Sequence, residues 1–260
     1  MHNILEEIVE KKKEDLKLLN REEIHNKAMK LKNNRGQSLK NTLTKSQTIG
    51  IISEIKRASP SKGDLNMNLD VEKMAKIYEN AGAKAVSVLT EERYFKGSYK
   101  DLVSARKCLT VPILNKDFFI DKIQIDLCKI YGGDVILLIL KVLSDEEAKE
   151  LLDYAHFMNL EVLMEVHDEE ELLRAKELKP DIIGINNRNL ETFEVSIDTT
   201  IALSKYIKED GLIISESGIK TREDVKKLKE HGVKGILVGE SFVTSGNVEE
   251  TFRELTLWQR

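Results

Sequence analysis

A chain of 260 residues with 41% hydrophobic content can bury one large core or two small ones. Its net charge of -4 and pI near 5.9 argue against nucleic acid as the main partner, because binding the phosphate backbone requires a net basic face. No run approaches the ~20 apolar residues that cross a bilayer, and Met1-His2-Asn3 lacks the charged-then-apolar opening of a signal peptide, so a cytoplasmic protein with no membrane partner is expected.

The first 32 residues carry helical periodicity. Ile4, Leu5, Ile8, Val9, Leu16 and Leu19 form one stripe, and Ile24, Ala28 and Leu31 continue on a second helix. Asn33-Asn34-Arg35-Gly36 breaks the pattern, and Ser38 to Leu43 forms a short capped turn. So polar a segment has to pack against something larger.

Apolar, β-branched runs then recur with helical segments between them, each nearly continuous, as strands buried on both faces are. The predicted strands are 49–55, 85–90, 111–115, 134–140, 161–166, 181–186, 212–216 and 235–239. Helices are predicted over 70–81, 99–108, 120–131, 145–157, 169–178, 198–207 and 222–231, with a last one from about Val248. Ser144 with Glu147 and Thr221 with Asp224 have the spacing of helix caps. Eight βα units without a G-x-G-x-x-G or Walker A sequence predict an α/β protein of the (β/α)8 TIM-barrel class. A single domain is expected, with residues 1–46 as an N-terminal helical extension and 47–260 as the barrel.

In such a barrel the chemistry sits at the C-terminal strand ends, and six of those ends carry polar residues. The first run passes into Glu54-Ile-Lys56 and then Ser59-Pro60-Ser61-Lys62-Gly63. Glu54 and Lys56 are two apart and share a strand face, and the loop supplies hydroxyls and a cation suited to an anion. Later ends bring Asn115-Lys116-Asp117, Glu165, Asn186-Asn187-Arg188, Ser215-Glu216-Ser217-Gly218 and Gly239-Glu240-Ser241. Ser217-Gly218 and Gly239-Glu240-Ser241 fall after strands 7 and 8, where barrels bind phosphate through bare backbone N–H groups; Glu240 can contribute only its N–H, since its side chain repels the anion. Glu54, Lys56, Lys116, Glu165, Asn186, Arg188 and Glu216 form a set suited to moving protons on a small anionic substrate. His167 reads as a loop histidine beside a helix cap at Asp168. His2, His25, His156 and His231 have no zinc spacing, Trp258 reads as packing, and Cys108 and Cys128, with no C-x-x-C spacing, read as reduced structural thiols.

The residues that carry most information are Glu54-Ile-Lys-Arg-Ala-Ser-Pro-Ser-Lys-Gly63, Leu89-Thr90-Glu91, Tyr94-Phe95, Pro112-Ile-Leu-Asn-Lys-Asp-Phe118, Leu163-Met-Glu-Val166, Gly184-Ile-Asn-Asn-Arg-Asn-Leu190, Ser215-Glu-Ser-Gly-Ile219 and Val238-Gly-Glu-Ser241. With them the chain resembles the indole-3-glycerol phosphate synthases of tryptophan biosynthesis over essentially its full length, the helical extension included. The resemblance implies conversion of 1-(2-carboxyphenylamino)-1-deoxyribulose 5-phosphate into indole-3-glycerol phosphate with loss of carbon dioxide and water, without cofactor or metal.

By matching position, the resemblance makes Lys116 the general acid, Glu165 an acid/base group of later steps, and Lys56 with Glu54 a pair that orients the substrate. Asn186, Arg188, Glu216 and Ser217 complete the polar wall. Ser59, Gly218, Gly239 and Glu240 belong with the substrate phosphate, and Phe95, Phe118, Leu137 and Leu190 with its aromatic ring. Phe119, where a smaller aliphatic residue is expected, affects packing beside the site. The implied partner is a phosphorylated small molecule, and a monomer is expected, with a dimer as the alternative. Two other readings of the same residues stand beside this one: a phosphate-binding barrel whose Lys116 forms a Schiff base, as in a class I aldolase, and a barrel that binds a sugar phosphate without turning it over.

Overall fold

The recurring β-branched runs form eight parallel strands, seen in a computed structural model that describes residues 4–190, 192–207, 211–244 and 247–256. They are β1 Gly50–Ile55, β2 Ala85–Leu89, β3 Ile113–Lys116, β4 Val135–Ile139, β5 Glu161–Val166, β6 Ile182–Asn186, β7 Ile213–Glu216 and β8 Gly235–Val238. Each strand pairs with its sequence neighbours, and β8 returns to β1 with Gly50 opposite Gly235, closing the barrel. The TIM-barrel expectation is met. The expected set His2, Trp258 and the Met1-Asn3 opening lies outside the described residues.

Alternation along each strand divides the apolar side chains into two clusters. Ile52, Ala85, Leu114, Leu137, Leu163, Ile182, Ile214 and Leu237 point into the barrel. Ile51, Val86, Ile113, Ile136, Val162, Ile183, Ile213 and Ile236 face outward and pack against the surrounding helices. The same parity fixes the site: Glu54, Lys116, Glu165 and Glu216 each stand two residues after an inward apolar residue and so point inward at the C-terminal end.

Around the barrel run α4 Val71–Ala81, α5 Tyr99–Cys108, α6 Lys122–Tyr131, α7 Asp145–Phe157, α8 Glu169–Leu178, α9 Asp198–Ser204, α10 Arg222–Glu230, the short α11 Glu240–Thr244, and α12 Val248–Leu255. Ser144 and Thr221 both form complete capping boxes with Glu147 and Asp224. Three pieces were not visible in the sequence. They are the two-residue-stranded hairpin Ala58–Ser59 with Gly63–Asp64, the 3-10 turn Leu140–Val142, and α11; all are too short to carry a hydrophobic period. Phe119 is buried in the outer cluster, away from the barrel interior. Both cysteines are free, with Cys128 buried. Among the described residues, no helix is long and apolar enough to cross a membrane.

The extension grips the barrel at both ends. Its helices are α1 Ile4–Leu16, α2 Arg21–Leu31 and α3 Leu39–Lys45. α3 closes the N-terminal end: Leu39 and Leu43 are buried, and Leu43 lies where a Cβ on Gly50 or Gly235 would stand, so those two strand starts are glycine. The Gln37 backbone N–H donates to Asp134, and the Ser38 hydroxyl and Lys40 backbone N–H to Glu161, tying the chain there to the starts of β4 and β5. α1 crosses the opposite mouth. Its Lys12 meets the buried Asp117 at 2.8 Å, Glu7 accepts from Tyr94, and Asp15 pairs with Arg93. Because Leu43 is 1% exposed and wedged between two strand starts that cannot collapse onto it, Leu43→Ala should lower stability by about 2–5 kcal/mol. Urea unfolding measures this, with little change expected in catalytic constants at the far end of the barrel.

Candidate active site

At the C-terminal mouth, three carboxylates from three strands converge on one ammonium. Lys116 Nζ lies 2.6 Å from Glu216 Oε2, 3.7 Å from Glu54 Oε2 and 3.9 Å from Glu165 Oε2. Lys56 Nζ lies 2.6 Å from the other Glu54 oxygen. Asn186 Nδ2 donates to Glu165 Oε1 at 3.1 Å, and its own oxygen accepts the Arg188 backbone N–H at 3.0 Å, which turns the chain outward after β6. Glu54, Glu165 and Glu216 are exposed by only 3%, 3% and 1%. Charges so deep must be compensated by one another or by a ligand.

Their titration follows from that crowding. Burial alone opposes the Lys116 charge, but Glu216, Glu54 and Glu165 outweigh it and hold its pKa well above the ordinary lysine value. One ammonium cannot hold three buried carboxylates ionised equally. Burial, aided by the Glu165 charge, lifts the Glu216 carboxyl above the usual carboxylate range against the pull of Lys116. Glu165 moves the other way: burial opposes its charge, but contact with His167 and the Lys116 charge bring it well below that range. Glu54 is also lowered, with burial overcome by Lys56 and then Lys116. The crowding thus drives the two carboxyl groups in opposite directions, Glu165 toward its ionised form and Glu216 toward its protonated one.

Beside the charges lies a cavity of about 200 Å³. One wall is apolar: Phe95 and Phe118, with ring centroids 6.2 Å apart, Leu137 and Leu190. The predicted residues Glu54, Lys56, Ser59, Lys116, Glu165, Asn186, Arg188, Ser217, Gly218, Gly239 and Glu240 also line it. Glu216 does not. It lies beneath Lys116 and reaches the cavity through that residue; Gly184 makes its place, since a Cβ there would stand 2.4 Å from Glu216 Oε1.

The far end of the cavity is a turn of unusual backbone. Ser217 and Gly218 follow each other at φ 66° and 79°, a conformation glycine accepts and serine resists. Asn187 holds it by donating to Ser217 O at 2.9 Å, and is itself fixed by Ser215 and Thr200. Gly239 stands opposite, with Glu54 Oε1 2.5 Å from where its Cβ would be. Glu240 is drawn toward Lys62 at 3.4 Å and Arg188 at 3.9 Å, so its charge is offset rather than aimed at the turn.

The family model for indole-3-glycerol phosphate synthase matches residues 5–255. An indole-3-glycerol phosphate synthase of Bacillus cereus is 47% identical over 255 residues, covering 98% of each chain. One of Bacillus anthracis is 52% identical over 205 residues, covering 78% of this chain and 81% of its own. The chain belongs to the indole-3-glycerol phosphate synthase family. Solved structures extend the likeness to the fold alone: thiamine phosphate pyrophosphorylase from Pyrococcus furiosus has a TM-score of 0.60 at 19% identity, over 84% of this chain and 96% of that one. N-acetylmannosamine-6-phosphate 2-epimerase from Clostridium perfringens has 0.61 at 16%, over 80% and 92%.

As a member of the synthase family the chain shows four contributions to the site that sequence reading had not assigned. Ile4, Leu5 and Ile8 of α1 form part of the cavity lining. Glu91, buried, accepts the backbone N–H groups of Arg93, Tyr94 and Phe95 and so seats the Phe95 ring. Asn187 was visible as a strand-end residue, but its partners come from β7 and α9. His167 is the loop residue it was expected to be, and its Nε2 lies 3.2 Å from Glu165 Oε1, a contact the sequence did not show. Asp168 is the helix cap it was expected to be. Among the described residues, no three His, Cys, Asp or Glu side chains gather as a metal site.

Proposed function

We propose that this site carries out the family reaction, converting 1-(2-carboxyphenylamino)-1-deoxyribulose 5-phosphate into indole-3-glycerol phosphate, carbon dioxide and water. The observation that carries the reading is Lys116, an ammonium ringed by three carboxylates beside an apolar slot. A Schiff-base lysine needs a lowered pKa so that its amine is free; Lys116 is driven the opposite way and is suited to donating a proton.

The substrate's aromatic ring lies between Phe95, Phe118, Leu137 and Leu190. The ring carbon that bears the carboxylate attacks the ketone carbon, and negative charge grows on the ketone oxygen. Lys116 donates its proton there, leaving an alcohol, a step of a kind that supplies roughly 10²- to 10⁴-fold. The carbon–carboxylate bond then breaks, its electron pair returns to the ring, and carbon dioxide leaves. Lys56, held by Glu54, gives the proton with which the hydroxyl departs as water, and Glu165 accepts the proton lost as the five-membered ring becomes aromatic. Glu216 acts through Lys116 and orients it. Asn186 orients Glu165.

The phosphate is assigned to the backbone N–H groups of the Ser217-Gly218 turn and of Gly239 to Ser241, with Ser59 and Arg188 beside them. Gly239→Val places a side chain against Glu54 as well as in the space assigned to the phosphate, so kcat/KM should fall about 10²-fold through loss of both binding and alignment, while the protein still folds with a somewhat lower melting temperature from the crowding at Glu54. Steady-state kinetics and thermal unfolding measure the two. Borohydride added with substrate tests the reading against the aldolase alternative: no covalent adduct on Lys116 is expected, and a trapped adduct would replace the acid with a Schiff base. A barrel that only binds would leave the substrate chemically unchanged.

A further inference from the structure

His167 follows β5 and caps nothing, yet its ring is almost completely enclosed, with 9% of the side chain exposed. Nδ1 lies 3.0 Å from Glu171 Oε2, an oxygen that also accepts the His167 backbone N–H at 2.8 Å. On the other side Nε2 lies 3.2 Å from Glu165 Oε1, at hydrogen-bond distance but not in hydrogen-bond alignment. A neutral imidazole has a proton on one nitrogen and a lone pair on the other. With the proton on Nε2 the Nδ1 lone pair faces the Glu171 carboxylate, and with it on Nδ1 the Nε2 lone pair lies 3.2 Å from a Glu165 oxygen; the doubly protonated ring suits the two carboxylates best.

We propose that His167, clamped between Glu165 and Glu171, is a positioning residue that keeps Glu165 an ionised proton acceptor. This rests on the reading of Glu165 as proton acceptor. The other groups facing Glu165 cannot do the same. Lys116 from β3 stands 3.9 Å away and is shared with Glu54 and Glu216. Asn186 from β6 is neutral, and Glu54 from β1 and Glu216 from β7 are like charges that favour protonation. Around the ring itself stand Glu171 of α8, Asp168 at its cap, and Lys141 and Arg188 across the adjoining polar pocket. His167 is therefore the cation against Glu165 that neither of the other two carboxylates shares. Burial works against its charge, but Glu165 and Glu171 outweigh that and raise its pKa to about 10, so the charge persists through neutral pH.

The sign follows. Removing the cation raises the Glu165 pKa, less of it is ionised on the acid side, and the acid limb of activity moves to higher pH. The measurement is kcat/KM against pH for the wild type, His167→Asn and Glu171→Gln, which reports groups of the free enzyme. Substrate ionisation is common to all three and cancels in the comparison. His167→Asn should move the acid limb up by about one unit or more, with a loss of about tenfold below it that shrinks above it. Glu171→Gln, which weakens the clamp from its other side, should move it in the same direction by less. In the intact wild type, nitrogen-15 chemical shifts should show both ring nitrogens of His167 protonated at neutral pH. A His167→Asn profile that is the wild-type curve scaled down without displacement, or a neutral ring in the wild type, overturns the proposal. Glu165→Gln separates the layers: if it stays fully active, the reading of Glu165 fails; if it is inactive and the limb is unmoved by His167→Asn, only the role of His167 fails.

Discussion

Lys116→Met should lower kcat by on the order of 10²-fold or more, with a smaller rise in KM. The ammonium is aimed at charge that exists only as the ketone oxygen is converted to an alcohol, so its removal penalises the transition state more than the bound substrate. Some increase in KM is expected because an anion loses an attraction. The substitution also leaves Glu54, Glu165 and Glu216 without their common counter-ion. Buried carboxylates in that position take up protons rather than stay charged, and Glu216, already raised, is first to do so. The variant should therefore fold, which circular dichroism checks, and lose activity for a chemical reason. A near-normal kcat would remove Lys116 from the role and leave Lys56, 2.6 Å from Glu54, as the acid.

Glu165→Gln should lower kcat by about 10²- to 10⁴-fold with KM nearly unchanged. Glutamine fills the same volume and can still accept from Asn186 Nδ2, now 3.1 Å from Glu165 Oε1, so the loss is of a proton acceptor rather than of shape. Its place late in the sequence gives a second readout. In a single turnover the variant should release carbon dioxide ahead of indole fluorescence, because ring closure and decarboxylation precede the step it impairs. If carbon dioxide release and fluorescence slow together, Glu165 acts at or before ring closure.

Much of this site is written along single strands. Glu54 follows Ile52 by two residues, Lys116 follows Leu114, Glu165 follows Leu163 and Glu216 follows Ile214, so period-2 alternation aims all four inward once the runs are recognised as strands. Helix ends were equally legible where a local cap exists, as at Ser144 and Thr221. What stayed hidden depends on which strands meet. Glu216 withdraws from the cavity because Gly184 on β6 leaves space for it, and Gly239 is glycine because the Glu54 carboxylate stands against its Cα. Neither pair is close in sequence. The contacts of His167 were hidden for a related reason: the residue lies in the expected loop, but only the turn into α8 brings Glu171 to its second nitrogen. The apolar stripe of α1 announced that it must be buried and gave no sign that Ile4, Leu5 and Ile8 face the cavity.

The central claim is that this barrel mouth closes an indole ring, and the most direct measurement follows that ring as it forms. Purified protein is mixed with 1-(2-carboxyphenylamino)-1-deoxyribulose 5-phosphate, and indole fluorescence is recorded together with carbon dioxide release, beside a Lys116→Met control. The account predicts continuous fluorescence growth over many turnovers, one carbon dioxide for each indole formed, and a rate at least about 10²-fold lower in the control. Substrate that binds and stays unchanged, or fluorescence that grows equally in the Lys116→Met protein, would contradict it.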